Sequence, residues 1–234
     1  SEFNIEGNAS ARQLAEEAIA LDPEFGSAYR LLGVTHLHDT WLGMSKSPKE
    51  SLEKAIKLVQ KAIELDDGYG HSVMGFLLLQ IGQYDNAVAE AERGVALNPS
   101  SADSHAWLGM TFRFSGREQE AIPELEKAVR LNPIPPSWYL HNLGLAYFST
   151  GRYEEGIKTC EEAVRQEPES LYARLELAAV YSLAGRDEEA RVEAAEVLRM
   201  HPKFSLEEFG KRFTAKSQEG KERYLGALGK AGLK

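Results

Sequence analysis

A short motif, leucine-Asx-proline, returns along this chain at Leu21-Asp22-Pro23, Leu97-Asn98-Pro99 and Leu131-Asn132-Pro133. Weaker copies stand at Leu65-Asp66-Asp67, Gln166-Glu167-Pro168 and Met200-His201-Pro202, so that successive copies from Pro23 lie 44, 32, 34, 35 and 34 residues apart. A unit of about 34 residues holds two helices and their turns, and it can bury its apolar face only against its neighbours. This spacing confines the chain to an array of stacked repeats.

The blocks between the motifs repeat a finer pattern. A large-small pair precedes each turn between helices: Leu32-Gly33, Met74-Gly75, Leu108-Gly109, Leu143-Gly144 and Leu177-Ala178. Three residues after the small member comes a bulky one (His36, Leu78, Phe112, Tyr147, Tyr181), and a turn glycine follows at Gly82, Gly116, Gly151 and Gly185. Small residues return in the second helix at Ala55, Ala87, Ala121, Gly156 and Ala190, then at Ala62, Gly94, Ala128, Ala163 and Val197. Small residues let two helix backbones approach, and large ones fill the grooves beside them. A glycine ends the first helix by taking a left-handed conformation, and the proline separates one unit from the next. In each of these positions the blocks resemble tetratricopeptide (TPR) repeats over about residues 11–202. The resemblance implies an all-α, right-handed superhelix of antiparallel pairs: a half repeat at 11–23, then repeats at about 26–67, 68–99, 100–133, 134–168 and 169–202.

The ends depart from the period. Residues 11–21 match only a second helix, through Ala11, Ala15, Ala18 and Leu21. Residues 1–10 are expected to be disordered or, as Ser1-Glu2-Phe3 suggests, a cloning remnant. An unpaired second helix leaves one face uncovered, so the chain is expected to be part of a longer protein or to pair there with another copy. Residues 203–234 are read as a C-terminal cap. Ser205-Leu206-Glu207-Glu208 has the form of a capping box, with Phe204 and Phe209 as a hydrophobic staple. Tyr224, Leu225 and Leu228 place a second short helix at about 218–231. The block at 26–67 is longer than the others, and the excess lies around His38–Ser51, before a further capping-box pattern with proline at Ser47-Pro48-Lys49-Glu50. Such an insertion marks a contact face or a lengthened helix with a solvated turn.

The formal net charge of −9 argues against general binding of nucleic acid or anionic membranes. It is uneven: residues 203–234 carry eight Lys/Arg and four Glu, so the tail is +4 and the remainder −13. A solvated amphipathic cap is favoured over a tail that docks on an acidic surface, its own array included. A lone Cys160 at a helix-packing position permits no disulfide within one chain, which suits a reducing compartment and a cytoplasmic location. No apolar run reaches membrane-spanning length and no signal peptide is recognisable.

The search for chemistry finds no phosphate loop, nucleophile elbow or paired-cysteine metal motif. In His36-x-His38-Asp39 the two imidazoles are two residues apart and diverge on a helix, so no metal or other cofactor is expected. Glu154-Glu155, Glu161-Glu162 and Glu188-Glu189 read as solvated faces, and the chain is expected not to be an enzyme.

In TPR arrays the first helices line the concave face. The resemblance therefore points inward Arg30, Tyr69 and Phe76, then Met110, Arg113 and Phe114, then Trp138, His141 and Phe148, then Tyr172. The Lys and Asn clamp by which cochaperone TPR domains hold a peptide carboxylate is missing: Arg30 and Val34, Ala106 and Met110, His141 and Leu145 stand there instead. What remains is an aromatic, methionine-bearing trough suited to an amphipathic helix or apolar peptide, which Arg113 and His141 would orient. Its partner is expected to be a protein or peptide, with the chain's own tail or a second copy among the candidates. The bland alternative is that these aromatics pack between neighbouring first helices.

Three stretches carry a closer resemblance: residues 131–139 (LNPIPPSWY), residues 87–99 (AVAEAERGVALNP) and the tail from Phe204 to Leu233, together with the lengthened block around Trp41-Leu42-Gly43. They are similar to the C-terminal TPR region of bacterial class III adenylate/guanylate cyclases, whose catalytic domain lies ahead of the repeats. The resemblance implies a non-catalytic regulatory scaffold onto which no catalytic residue carries over. The alternative is a free-standing, self-assembling TPR adaptor.

Overall fold

The computed structural model of the chain describes residues 5–41, 43–65 and 67–234. Among these residues there are thirteen α-helices and no strand. They form two compact units, one reaching Thr111 and the other running from Phe112 to Lys234.

The first unit contains α1 (Ile5–Leu21), α2 (Gly26–Trp41), α3 (Pro48–Glu64), α4 (Gly70–Gln80), α5 (Tyr84–Leu97) and most of α6 (Ala102–Phe114). Here α2 packs on α3, α4 on α5, and α3 and α4 join the two pairs. Why the pairs close so tightly is visible at Gly75: a Cβ there would lie 2.7 Å from the Ala87 carbonyl oxygen and 2.9 Å from the Ala91 Cβ. Only glycine lets the two backbones meet at that distance.

The second unit continues with α7 (Glu118–Leu131), α8 (Ser137–Ser149), α9 (Tyr153–Gln166), α10 (Leu171–Leu183) and α11 (Asp187–Met200). It ends in α12 (Leu206–Arg212) and α13 (Gln218–Lys230). Its core gathers Leu145, Phe148, Leu175, Val180 and Val197 with Tyr224, Leu228 and Leu233 of the tail.

The turns follow one rule throughout. Gly82, Gly116, Gly151 and Gly185 have φ of +78°, +74°, +87° and +77°. The next residue's amide donates back to the carbonyl of the bulky residue five positions earlier: Gln83 to Leu78, Arg117 to Phe112, Arg152 to Tyr147 and Arg186 to Tyr181, each at 2.9 Å. This is a Schellman closure, and it satisfies a carbonyl that the helix end would leave open.

Two local expectations change. First, α1 starts at Ile5, ahead of the expected start at Ala11. Its first turns are held by polar contacts: Asn8 Nδ2 donates to the Thr35 carbonyl (3.1 Å) and to Asp39 (2.8 Å), and Arg12 donates to Asp39 (2.7 Å). A search for apolar periodicity passes over such a grip. The expectation for residues 1–4 lies outside the described residues. Second, Ser47 precedes a proline at the first turn of α3, yet its side chain makes no capping bond. The neighbouring hydroxyls of Ser45 and Ser51 bond each other instead, at 2.7 Å. The inserted block takes the form of a lengthened first helix: α2 has 16 residues and is followed by a turn with Gly43 at φ +68° and a 17-residue α3; its Leu42 lies outside the described residues, as does Asp66 of the second motif copy.

The tail folds into α12 and α13, and the Glu208 carboxylate of the expected capping box pairs with Lys211. Ser205 Oγ accepts the Glu208 amide at 3.4 Å, and the rings of Phe204 and Phe209 lie 5.8 Å apart, which is the staple. Ser217 caps α13 through the Gly220 amide, and the Leu206 amide donates to the carbonyl of Lys234 at 2.7 Å, tying the chain end to α12.

Candidate functional site

In the first unit the inward-assigned residues are occupied with one another. Phe76 on α4 sits edge-on to Trp41 of α2, at 5.1 Å between centroids, and 5.3 Å from Trp107 of α6. The Trp107 indole N–H donates to the Tyr69 hydroxyl at 2.7 Å. Arg30 lies over the Tyr69 ring, 4.4 Å from its centroid, and its Nε donates to Asp67 at 2.7 Å. Burial pushes the Tyr69 hydroxyl far above the ordinary phenol range. Phe76 and Met110 are 2% and 6% exposed. These side chains pack successive first helices together; Phe76, Trp107 and Met110 show almost no surface to a ligand, while Arg30, Trp41 and Tyr69 are half-buried.

In the second unit the same face is covered by the tail. The ring of Phe114, at the end of α6, lies 5.7 Å from Phe213, and the amide of Lys216 donates to the Phe114 carbonyl at 3.0 Å. Phe213 in turn stacks on Tyr224 of α13, with 4.9 Å between centroids and 18° between planes. Tyr224 hydrogen-bonds Glu176 of α10.

Glu176 is the centre of a buried polar cluster. It is 3% exposed. Its carboxylate lies 3.6 Å from Arg113 Nη2, too long for a hydrogen bond, while Arg113 Nε donates to Asn142 Oδ1 at 2.9 Å. Glu176 Oε2 meets no protein donor. Burial raises the carboxyl from 4.5 to about 7, against the opposing pull of Arg113 and the Tyr224 hydroxyl. Arg113 also lies over the Phe114 ring at 4.2 Å. His141 is 7% exposed, and burial followed by the charge of Arg113 lowers it to about 3, so it is neutral. It cannot orient a ligand as a cation, and Arg113 is engaged with Asn142 and Glu176. Phe148 is buried at 2% with its ring 4.9 Å from Tyr153, whereas Trp138, half-buried, stands edge-on to Tyr139 at 4.5 Å. Tyr172 is half-buried, and burial raises its hydroxyl well above the phenol range.

The trough expected from the sequence is thus brought together only in part. Phe114 and Tyr172 lie at the tail; Phe76, Met110, His141 and Phe148 belong to the interior. Sequence reasoning missed Glu176, Asn142, Trp41 and Trp107. The two tryptophans could have been found by their size and their place in first helices. Glu176 follows Leu175 and precedes the Leu177-Ala178 crossing pair, and only that apolar setting marks it.

Other candidates stay in structural roles. Asp39 is taken by Asn8 and Arg12, and burial lowers His38 to about 4. Among the described residues no group of three or more His, Cys, Asp or Glu is placed to hold a metal ion. Cys160 is fully buried and its thiol is pushed up by that burial. Glu155, Glu162 and Glu189 each pair with an arginine three residues away on the helix surface. No described helix is long and apolar enough to cross a membrane.

A stack of helix pairs closed by glycine turns and joined through small crossing residues defines an α-solenoid, a class that works through its surfaces. Family models described as tetratricopeptide repeat match residues 1–69 and 74–133 and, in a second model, residues 147–206, and the chain belongs to the tetratricopeptide repeat family. No curated protein sequence matches it. Among solved structures it is similar to the human IFIT1 dimer, with TM-score 0.70 and 21% identity over 88% of this chain and 47% of that one. It is also similar to the APC/C hetero-tetramer Cut9-Hcn1, with TM-score 0.69 and 18% identity over 97% and 40%. A third is a thermophilic TPR protein of Thermus thermophilus, with TM-score 0.63 and 21% identity over 87% and 98%. At these identities the likeness is one of fold. The chain spans well under half the length of the Cut9-Hcn1 chain it matches. The fold is all-α and of TPR type, as the resemblance implies.

Proposed function

We propose that the chain is a non-catalytic scaffold that binds a helical or extended protein segment on the first-helix face of its repeats. One observation carries this reading: that face in the second unit already holds the chain's own tail, with Tyr224 of α13 bonded to Glu176 and Phe213, just after α12, against Phe114. The similarity of residues 87–99, 131–139 and the tail to the C-terminal region of class III cyclases supports a narrower role, as the regulatory region of a bacterial nucleotide cyclase-like protein in the cytoplasm. The net charge of −9 supports a protein partner over nucleic acid or an anionic membrane.

The test is selection of displayed helical peptides on the intact chain, followed by affinity measurements on Phe114→Ala and Trp138→Ala. Loss of roughly 2 kcal/mol in either, about thirty-fold in Kd, is the expected result. Selected peptides whose affinity neither substitution changes would overturn the assignment of the face. The narrower role is tested on the full-length gene product: absence of any cyclic nucleotide formation removes it.

A further inference from the structure

We propose that the first-helix face of the second unit is an exchangeable docking surface whose partner is a basic segment that, like the tail, presents one aromatic from a helix and one from the turn before it, and that residues 203–234 occupy it in cis as a built-in competitor. This rests on the scaffold reading above and names the chemistry of its ligand and its control.

Three observations carry the inference. The first is complementarity: the tail is +4 and residues 112–202, the rest of its unit, are −5, and Lys230 reaches Asp187 of α11 at 2.7 Å. The aromatic pair Phe213 and Tyr224 supplies the anchors against Phe114 and Glu176.

The second is that α13 is weaker than its packing requires. Its 13 residues include Gly220, Gly226 and Gly229, and glycine is the least favourable residue after proline in a helix interior. At a crossing such as Gly75 a Cβ would strike backbone. At Gly226 it would meet nothing within 4 Å, and at Gly229 only Leu206 Cδ2 at 3.6 Å, an ordinary contact. Alanine fits both places, so nothing in the packing explains these glycines. They lower the stability of the docked helix without serving its fit.

The third is the incomplete polar pairing beneath the tail. Glu176 Oε2 is buried without a partner in the protein. A group left so costs free energy that a purely structural cap would be expected to remove, and a segment from another protein with one more donor would satisfy it better.

The experiment measures binding of a labelled synthetic peptide of residues 203–234 to the intact chain by fluorescence anisotropy. Two variants of the chain move the cis tail in opposite directions. Phe213→Ala removes an anchor and is expected to tighten peptide binding roughly ten-fold or more. The double variant Gly226→Ala/Gly229→Ala strengthens α13 and is expected to weaken it by roughly ten-fold. The same Phe213→Ala change placed in the peptide should abolish binding to every version of the chain. The inference is overturned if the peptide binds none of them, or if both chain variants bind it as the parent does. Dimerisation of the parent chain that the double glycine variant enhances would overturn it too, since the occupant would then be the tail of a second copy. Failure here together with selected peptides still sensitive to Trp138→Ala leaves the scaffold reading standing; insensitivity in both assays removes it.

Discussion

Glu176 and His141 are buried in the same unit and respond to pH in opposite senses. Glu176 has its carboxyl raised from 4.5 to about 7, so the unfolded chain ionises first as pH rises, and the native state loses stability across that window. His141 is lowered from 6.5 to about 3, so the unfolded chain takes up its proton first, and stability is lost as pH falls below 6.5. Between about 4.5 and 6.5 the two oppose, and the raw profile hides both. The groups facing Glu176 are Arg113, Tyr224, Tyr172 and Cys160. Burial keeps the hydroxyls and the thiol neutral across this range. Glu176→Gln keeps an acceptor for Tyr224 and removes the titration. Its stability relative to the parent should rise between pH 4.5 and pH 7 by an amount on the order of 3 kcal/mol, at about 1.4 kcal/mol per pKa unit. Urea denaturation of both chains at several pH values reads this difference, and a difference independent of pH would show that Glu176 does not titrate there. Only its apolar setting between Leu175 and Leu177-Ala178 marks this residue in the sequence, because burial of a charge is decided by which helix covers it. Arg113, by contrast, was visible as an inward position but not as the partner of Asn142 and Glu176.

Neighbouring pairs of helices are joined by a device that recurs with the repeat. The Tyr147 hydroxyl donates to Glu126 of the preceding second helix at 2.8 Å, and Arg152 lies over the tyrosine ring at 3.9 Å while pairing with Glu155. One repeat later Tyr181 donates to Glu161 at 2.7 Å, with Arg186 over its ring at 4.4 Å and paired with Glu189. Phe112, one repeat earlier, holds Arg117 over its ring at 4.5 Å without a hydroxyl to donate. Tyr147→Phe and Tyr181→Phe should therefore keep the stacked arginine and lose one hydrogen bond each, at a cost of about 1 kcal/mol. The two clamps share no partner, so the double variant should equal the sum within about 0.5 kcal/mol. A larger discrepancy in chemical denaturation would mean that strain passes between repeats. The spacing of the bulky residue, turn glycine and following arginine was open to sequence reading, since each repeats at nearly the same interval. The start of α1 was not, because Asn8 and Arg12 hold it by polar bonds that have no period.

The tail bears on how stability is distributed along the chain. In a repeat array each helix pair is stabilised mainly by its neighbours, so a change at one end need not be felt at the other. The question left open by the sequence was whether the tail, basic against an acidic array, is a solvated cap or an occupant of the trough. Phe213 against Phe114 and Tyr224 on Glu176 make it an occupant within the second unit, a contact between residues some hundred positions apart in sequence for Phe114 and Phe213. Charge alone could not distinguish the two, since both outcomes bury the same aromatics. The three tryptophans are placed to read the consequence: Trp41 and Trp107 lie in the first unit and Trp138 in the second. Fluorotryptophan labelling gives each a separate resonance without altering the packing. Phe213→Ala should lower the stability reported by Trp138 by roughly 2 kcal/mol, less than a fully buried phenylalanine because Phe213 is half-buried. The midpoints reported by Trp41 and Trp107 should move far less. Equal shifts at all three would mean that the chain unfolds as one cooperative body, and the tail would then stabilise the first unit as strongly as the second.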